Sequence, residues 1–199
     1  MNTFQYPFSG KTPELIRDIL VENDGTIIYP TETFYALGCV ADNPVAVNKV
    51  YELKNRNRAM PLLVLVDDWK MLFEYTGHIR HTHMETLKKY WPGPLTAILP
   101  HKGLLAKELN TNNDFLGFRM TSSKIAKKLI RLIGVPLVGT SANVSSQKEA
   151  SEIQTAQKTF GDSVEIYIDG GKTPGIKPST LVDMTRESYK VVREGMISI

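Results

Sequence analysis

The chain has 199 residues, a formal net charge of +3 at pH 7, one cysteine and 42% hydrophobic residues. With its 14 glycines the apolar share reaches about 49%, inside the ~45–50% of soluble globular proteins, and the 23% of charged residues is ordinary, so disordered, collagen-like and low-complexity architectures are excluded. The length fits one domain, since domains run to roughly 100–200 residues, and the strongly apolar run at 61–66 is far shorter than the ~18–20 residues of a bilayer span.

In chain order, Thr12 and Pro13 open a helix as N-cap and first residue; Leu15, Ile16, Ile19 and Leu20 form its apolar stripe and Gly25 stops it. Residues 26–29 form a short β run ending at Pro30, followed by the polar loop Thr31-Glu32-Thr33. Pro44 starts a second helix that buries Val47, Val50 and Tyr51 and ends near Lys54. Residues 62–66 are uniformly apolar, which predicts a strand covered on both faces. Asp67 or Asp68 caps a third helix, and a fourth covers residues 82–90. Trp91-Pro92-Gly93-Pro94 then breaks the chain before a strand at 95–99. Residues 101–114 read as loop with one helical turn, and 116–120 as strand. A helix over 124–133 is capped by Ser122 or Ser123 and closed by Gly134. A strand at 136–140 runs into Ser141-Ala142-Asn143; a helix over 151–160 and strands at 164–168, 180–184 and 189–193 complete the chain. Helices and strands alternate, but the later strands crowd together. The expected fold class is α/β (α+β): a single domain over residues 1–199, with a twisted mixed parallel/antiparallel sheet and flanking helices.

The charge is unevenly spread. Residues 53–66 and 115–148 contain no acid, yet hold nine of the 24 cations: Lys54, Arg56, Arg58, Arg119, Lys124, Lys127, Lys128, Arg131 and Lys148. The remainder of the chain carries −6. If the two stretches meet in space they make a basic central cleft; otherwise the lysines of the 124–131 helix form a solvated face.

Several motifs fail on spacing. Gly170-Gly171-Lys172-Thr173 resembles the end of a P-loop, but the required earlier glycine is Ile166. Gly139-Thr140-Ser141-Ala142-Asn143 lacks the last glycine of a nucleophile elbow, and all four histidines precede Ser141. His78, His81 and His83 match no common zinc spacing and read as a solvated loop and helix start, so no metal ligands are assigned. There is no Gly-x-Gly-x-x-Gly. Residues 1–11 lack a basic and apolar leader, and a lone Cys39 fits a reducing compartment, so the expected location is cytoplasmic, with no membrane contact.

What remains is a set of strand-end loops rich in hydroxyls and cations: Thr31, Thr33, Lys54, Arg56, Arg58, Arg119, Thr140, Ser141, Asn143, Ser179 and Thr180. Open sheets bind ligands beyond the carboxyl ends of their strands. Lys, Arg, Ser and Asn together suit a polyphosphate, with charge-assisted contacts worth roughly 1.5–3 kcal/mol each. The alternative for the hydroxyls is capping and turn formation.

Seven segments, in order along the chain, resemble the YrdC-like (TsaC-like) threonylcarbamoyl-AMP synthases: Tyr29-Pro-Thr-Glu-Thr-Phe-Tyr-Ala-Leu-Gly38, Lys54-Asn-Arg56, Trp91-Pro-Gly-Pro-Leu-Thr96, Phe118-Arg119-Met120, Thr140-Ser-Ala-Asn143, Pro178-Ser-Thr-Leu-Val-Asp183 and Val192-Arg-Glu-Gly195. The resemblance implies a YrdC-like domain without the C-terminal domain of longer family members. It also implies a synthase that joins L-threonine, bicarbonate or CO2, and ATP into threonylcarbamoyl-AMP and pyrophosphate. A partner threonylcarbamoyl-transferase would pass the group to tRNA, and any RNA contact by this chain itself would be weak.

By that resemblance Lys54, Arg56, Ser141 and Asn143 are catalytic. The same four, with Arg58, Thr140 and Arg193, bind ATP; Thr31, Arg119 and Ser179 bind threonine. Mg2+ is expected on the ATP phosphates and water. Asn57 stands where the family usually has proline, Ala36-Leu37-Gly38 where Gly-Leu-Gly is frequent, and Val144-Ser145-Ser146 where Ser-Gly is common. Tyr35-Ala36-Leu37-Gly38-Cys39 and Val191-Val192-Arg193-Glu194-Gly195 are similar to a YciO-like paralogue branch, but Lys-x-Arg and Ser-x-Asn, which that branch tends to lose, are intact. The alternatives are an RNA-binding or ribosome-associated module and a YciO-like paralogue without synthase activity.

Overall fold

The computed structural model describes residues 1–110 and 114–199. Its mixed α/β architecture is divided between two sheets. With strands numbered along the chain, the first sheet has the order β1 (Asn2–Gln5), β9 (Ile166–Asp169), β2 (Ile27–Pro30), β3 (Tyr35–Gly38) and β8 (Thr140–Ser141). In it β9 runs parallel to β1 and β2, whereas β3 is antiparallel to both β2 and β8. The second sheet has the order β11 (Lys190–Arg193), β10 (Thr180–Asp183), β5 (Leu95–Pro100), β6 (Phe115–Met120), β4 (Val64–Val66) and β7 (Leu137–Val138). Here β10 is parallel to β5 and β4 to β6, and the other pairs are antiparallel.

The chain crosses between the sheets at Gly139, which splits the strand expected over 136–140. Leu137 and Val138 pair with Leu65 and Val64 in the second sheet, while Thr140 and Ser141 pair with Leu37 and Ala36 in the first. A Cβ on Gly139 would come within 2.8 Å of the Leu65 side chain, and one on Gly38 would collide with the Val138 carbonyl oxygen. Only glycine lets the two sheets approach this closely.

Local chemistry sets the helix ends. Helix α2 (Pro44–Lys54) and helix α5 (Lys124–Ile133) have the expected bounds. The Asn43 side chain accepts from the Val45 and Ala46 amides at 3.0 Å, and Ser123 caps α5, which ends at Gly134 with φ 81°. Asp68 rather than Asp67 caps α3 (Trp69–Tyr75). Helix α1 (Thr12–Arg17) is preceded by Lys11 in the capping position, not Thr12, and passes into a π turn at Asp18–Glu22. Helices α4 (His81–Tyr90) and α6 (Ile153–Phe160) complete the set. The loop expected over 101–114 carries one turn at Lys107–Leu109; its residues 111–113 lie outside the described residues.

One buried cluster draws on both sheets, with Leu37 and Tyr167 from the first and Val64, Ala97 and Phe118 from the second, closed by α2, α3, α4 and α6. A second cluster packs α1 and α5 on the other face of the first sheet. There Ile125, Leu129 and Ile130 meet Ile27, Tyr29 and Ile166, each buried side chain contributing about 1.5–3 kcal/mol. His78 and His81 are exposed as expected, but His83 is buried, because it faces the core side of α4. Burial lowers its pKa, opposed by a backbone hydrogen bond at Glu187. Among the described residues no helix is long and apolar enough to cross a membrane.

Candidate active site

The two sheets share a cavity of about 480 Å³, lined from strands of both. Its walls come from the turn after β2, from β3, from the segment after α2, from β5 and β6, from the Gly139 crossing and from the loop before β10.

The Lys-x-Arg segment is a helix end. Lys54 closes α2, and Asn55 takes the left-handed conformation (φ 48°, ψ 46°) that asparagine tolerates better than most residues. Arg56 is thereby turned toward the cavity, while Lys54 points back under the Ser141–Asn143 loop and is only 2% exposed. Its ammonium donates to the Ser141 carbonyl at 2.6 Å, the Asn143 carbonyl at 2.7 Å and Asn143 Oδ1 at 3.3 Å, one acceptor for each proton. Burial pushes the Lys54 pKa down to about 7, Arg56 pushes the same way, and Glu149 opposes them. Ser141 Oγ also donates to Asn143 Oδ1 at 2.6 Å, and Asn143 Nδ2 donates to the Gln147 carbonyl at 2.6 Å. Arg56 spends Nε and Nη2 on the Met60 and Pro61 carbonyls at 3.0 and 3.1 Å, which fixes its guanidinium on the cavity wall.

The 31–33 turn also lines the cavity. Thr31 Oγ1 donates to the Phe34 carbonyl at 2.7 Å and accepts from the Thr33 amide at 3.2 Å, a local hydroxyl turn. Glu32 reaches to β6: Arg119 donates to Oε1 from Nε at 2.9 Å, with Nη2 at 2.7 Å, and Thr121 Oγ1 donates to Oε2 at 2.6 Å. Arg119 also donates to Thr33 Oγ1 at 3.3 Å. The two charged side chains are only 6% and 13% exposed. Burial would raise the Glu32 pKa, but the Arg119 charge and the Thr121 hydroxyl hold the carboxyl below its ordinary value. On the remaining wall Arg193 Nη2 donates to the Ser179 carbonyl at 2.9 Å, and Ser179 Oγ lies 2.8 Å from Thr96 Oγ1.

The structure thus places Thr31, Arg56, Arg119, Thr140, Ser141, Ser179 and Arg193 on one cavity wall or another. Lys54 and Asn143 stand behind the loop that carries Ser141. Arg58 is outside the lining: it donates to Asn48 and lies 5.3 Å from the Tyr51 ring centre. The two acid-free stretches do meet, but the basic cleft expected from them is narrower. Of their nine cations only Arg56 and Arg119 line the cavity, and Glu32 offsets Arg119. Lys127 and Arg131 pair instead with Asp67, at 3.9 and 2.6 Å, because α5 packs on the far face of the first sheet.

Sequence reasoning missed Glu32, Glu149 and Tyr35, which hold or line the site. A carboxylate between two threonines was the available signal for Glu32; nothing local marks Glu149. Among the described residues no group of three or more His, Cys, Asp or Glu side chains is placed to hold a metal ion.

The chain matches the Sua5/YciO/YrdC family, described as telomere recombination, over residues 20–195. It is 32% identical over 160 residues to a threonylcarbamoyl-AMP synthase of Thiobacillus denitrificans, covering 80% of this chain and 85% of that one. Its fold superposes on Pyrococcus abyssi Sua5 complexed with L-threonine with a TM-score of 0.88 and 28% identity, over 97% of this chain but 56% of the Sua5 chain, little more than half its length. On E. coli YciO the TM-score is 0.85, with 26% identity over 98% of this chain and 95% of that one. The matched segment takes in every cavity residue from Thr31 to Arg193, and the chain belongs to the Sua5/YciO/YrdC family.

Proposed function

We propose that this chain is an L-threonylcarbamoyl-AMP synthase, a nucleotidyltransferase that converts L-threonine, bicarbonate or CO2, and ATP into threonylcarbamoyl-AMP and pyrophosphate. The observation that carries the reading is the Lys54 clamp. It holds the Ser141–Asn143 loop against the cavity wall, with Arg56 and Arg193 on neighbouring walls. The synthase relative at 32% identity supports it, as does the L-threonine of the Sua5 complex.

In this reading the two sides of the cavity divide the substrates. Thr31 and Arg119 receive threonine, with Ser179 near its reacting end; Arg119 is aimed by Glu32 and keeps one Nη1–H donor for a carboxylate. Arg56, Arg193, Thr140 and Ser141 face the nucleotide, and Lys54 and Asn143 act through the loop they fasten. Threonine's amine takes up CO2 and loses a proton to give a carbamate. A carbamate oxygen then bonds to the α-phosphorus of ATP, the bond from that phosphorus to the bridging oxygen breaks, and pyrophosphate leaves with the electron pair. Such a transfer is accelerated by in-line positioning and by cations facing the charge that develops.

Mg2+ fits the donor set as a companion of the phosphates. Among the described residues the cavity offers one carboxylate, Glu149, that is not already paired, which suits an ion bound chiefly through phosphate oxygens and water. When bound it would neutralise phosphate charge. The product would pass to a threonylcarbamoyl-transferase acting on tRNA, in the cytoplasm.

The test is mass-spectrometric detection of threonylcarbamoyl-AMP, with threonine-dependent pyrophosphate release, from purified protein given threonine, bicarbonate, ATP and Mg2+. Pyrophosphate release indifferent to threonine, or none at all, overturns the reading.

A further inference from the structure

Among the described residues that line the cavity, Glu149 is the acidic one. Its place is fixed from behind: the next carbonyl, that of Ala150, accepts the Tyr35 amide of β3 at 2.9 Å, and the Ala142 amide donates to Tyr35 O at 2.8 Å. The residue therefore lines the same cavity as Ser141, Arg56 and Arg193. The side chain is half-buried, and among the described residues no hydrogen bond or ion pair engages it. Its charge is nevertheless felt within the site, opposing the burial that lowers the pKa of Lys54 and of Arg193.

A free carboxylate in a cavity built for a polyanion is an electrostatic contradiction. A bare triphosphate entering beside it meets a like charge at short range in a partly desolvated space, where such repulsion is stronger than in water. Three guanidiniums line the same cavity, yet one is already matched by Glu32 and none is bonded to Glu149. A divalent cation shared between phosphate and carboxylate removes the contradiction, because Mg2+ typically takes one or two carboxylates together with substrate phosphates.

We infer that Glu149 takes a coordination position on the Mg2+ that accompanies the nucleotide phosphates, so that the cavity selects the metal-bound nucleotide over the free one. The inference rests on the nucleotide reading above and adds to it a residue and a ligand form. Glu149 is then a specificity determinant, acting through the sign of the charge that enters.

The experiment is calorimetric titration of ATP, without threonine, into the full chain and its Glu149→Gln variant, once with excess Mg2+ and once with EDTA. Glutamine keeps the shape of a half-exposed side chain that bonds to nothing, and thermal melting confirms an unchanged fold. With Mg2+ the variant should bind ATP about tenfold more weakly, the scale on which loss of a metal-supporting group acts. With EDTA it should bind ATP more tightly than the unsubstituted chain. Tighter binding in both media assigns Glu149 a purely repulsive role and overturns the inference, as does no change in either. ATP binding to the unsubstituted chain in neither medium overturns the nucleotide reading itself.

Discussion

Two buried cations flank the cavity and are held in opposite ways. Arg119 meets a full counter-charge, the Glu32 carboxylate at 2.7 Å, backed by the Thr33 and Thr121 hydroxyls. Lys54 meets only oxygen dipoles, two main-chain carbonyls and an amide, and no ion pair of the described residues includes it. A buried charge matched by an opposite charge stays ionised, whereas one solvated by dipoles pays for burial with its proton affinity. Guanidinium keeps its charge throughout, while the Lys54 pKa is pushed down to about 7. One side of the cavity is therefore a fixed anchor and the other a fastening that titrates near neutrality.

The largest effect follows from halving the pair on the Arg119 side. Glu32→Gln leaves a buried guanidinium without its counter-ion and should cost about 3–5 kcal/mol in urea unfolding. The double variant Glu32→Leu/Arg119→Met should recover most of that loss, since both charges are then gone. A single-variant cost below about 1 kcal/mol would mean the pair is effectively solvated.

On the other side, Lys54→Met releases three acceptors and the loop they hold. Threonine-dependent pyrophosphate release should fall roughly 100-fold, the scale of a misplaced reacting group. Lys54→Arg should fail to restore it, because a planar fork cannot meet three converging acceptors.

The pH dependence sharpens the contrast. Above about pH 7 Lys54 loses its charge, so ATP affinity should weaken as pH rises from about 6 to 9, measured with and without the Lys54→Met change. Over the same range its contribution to stability moves the other way. The folded pKa lies below the unfolded one, the unfolded chain holds the extra proton, and stability rises between about pH 7 and the ordinary lysine range. Glu32, with a lowered pKa, contributes stability that is present above the ordinary carboxylate range and lost only as acid protonates it. The smallest effect belongs to Arg58→Ala. Held on Asn48 and Tyr51 outside the lining, it should change ATP affinity by less than about twofold.

Much of the framework is legible in the residues. Pro44 and Ser123 announce α2 and α5, and Gly134 announces the end of α5, because caps and 3.6-residue periodicity act over a few positions. Strand β3 escapes, since four buried residues between a polar turn and another apolar stretch carry no alternation. Strand β1 escapes because its exposed residues lack a strand's usual pattern. For the site, the hydroxyl and cation residues at 31, 56, 119, 141 and 179 are readable from the chain, Arg193 follows from the family resemblance, and all six line one cavity. The direction of Arg58 is not readable, because a residue two positions past Arg56 depends on which neighbours α2 offers it.

From its residues alone this chain determined its helix ends, its alternating α/β order, its acid-free stretches and its family resemblance. These depend on neighbours in sequence. Tertiary structure alone decided the division into two sheets at Gly139, the union of Glu32 with Arg119 across 87 positions, the retreat of Lys54 behind Ser141 and the placing of Glu149 in the cavity. Each depends on β pairing between distant segments, and a side chain's counter-charge and solvent exposure follow from that pairing rather than from its own sequence.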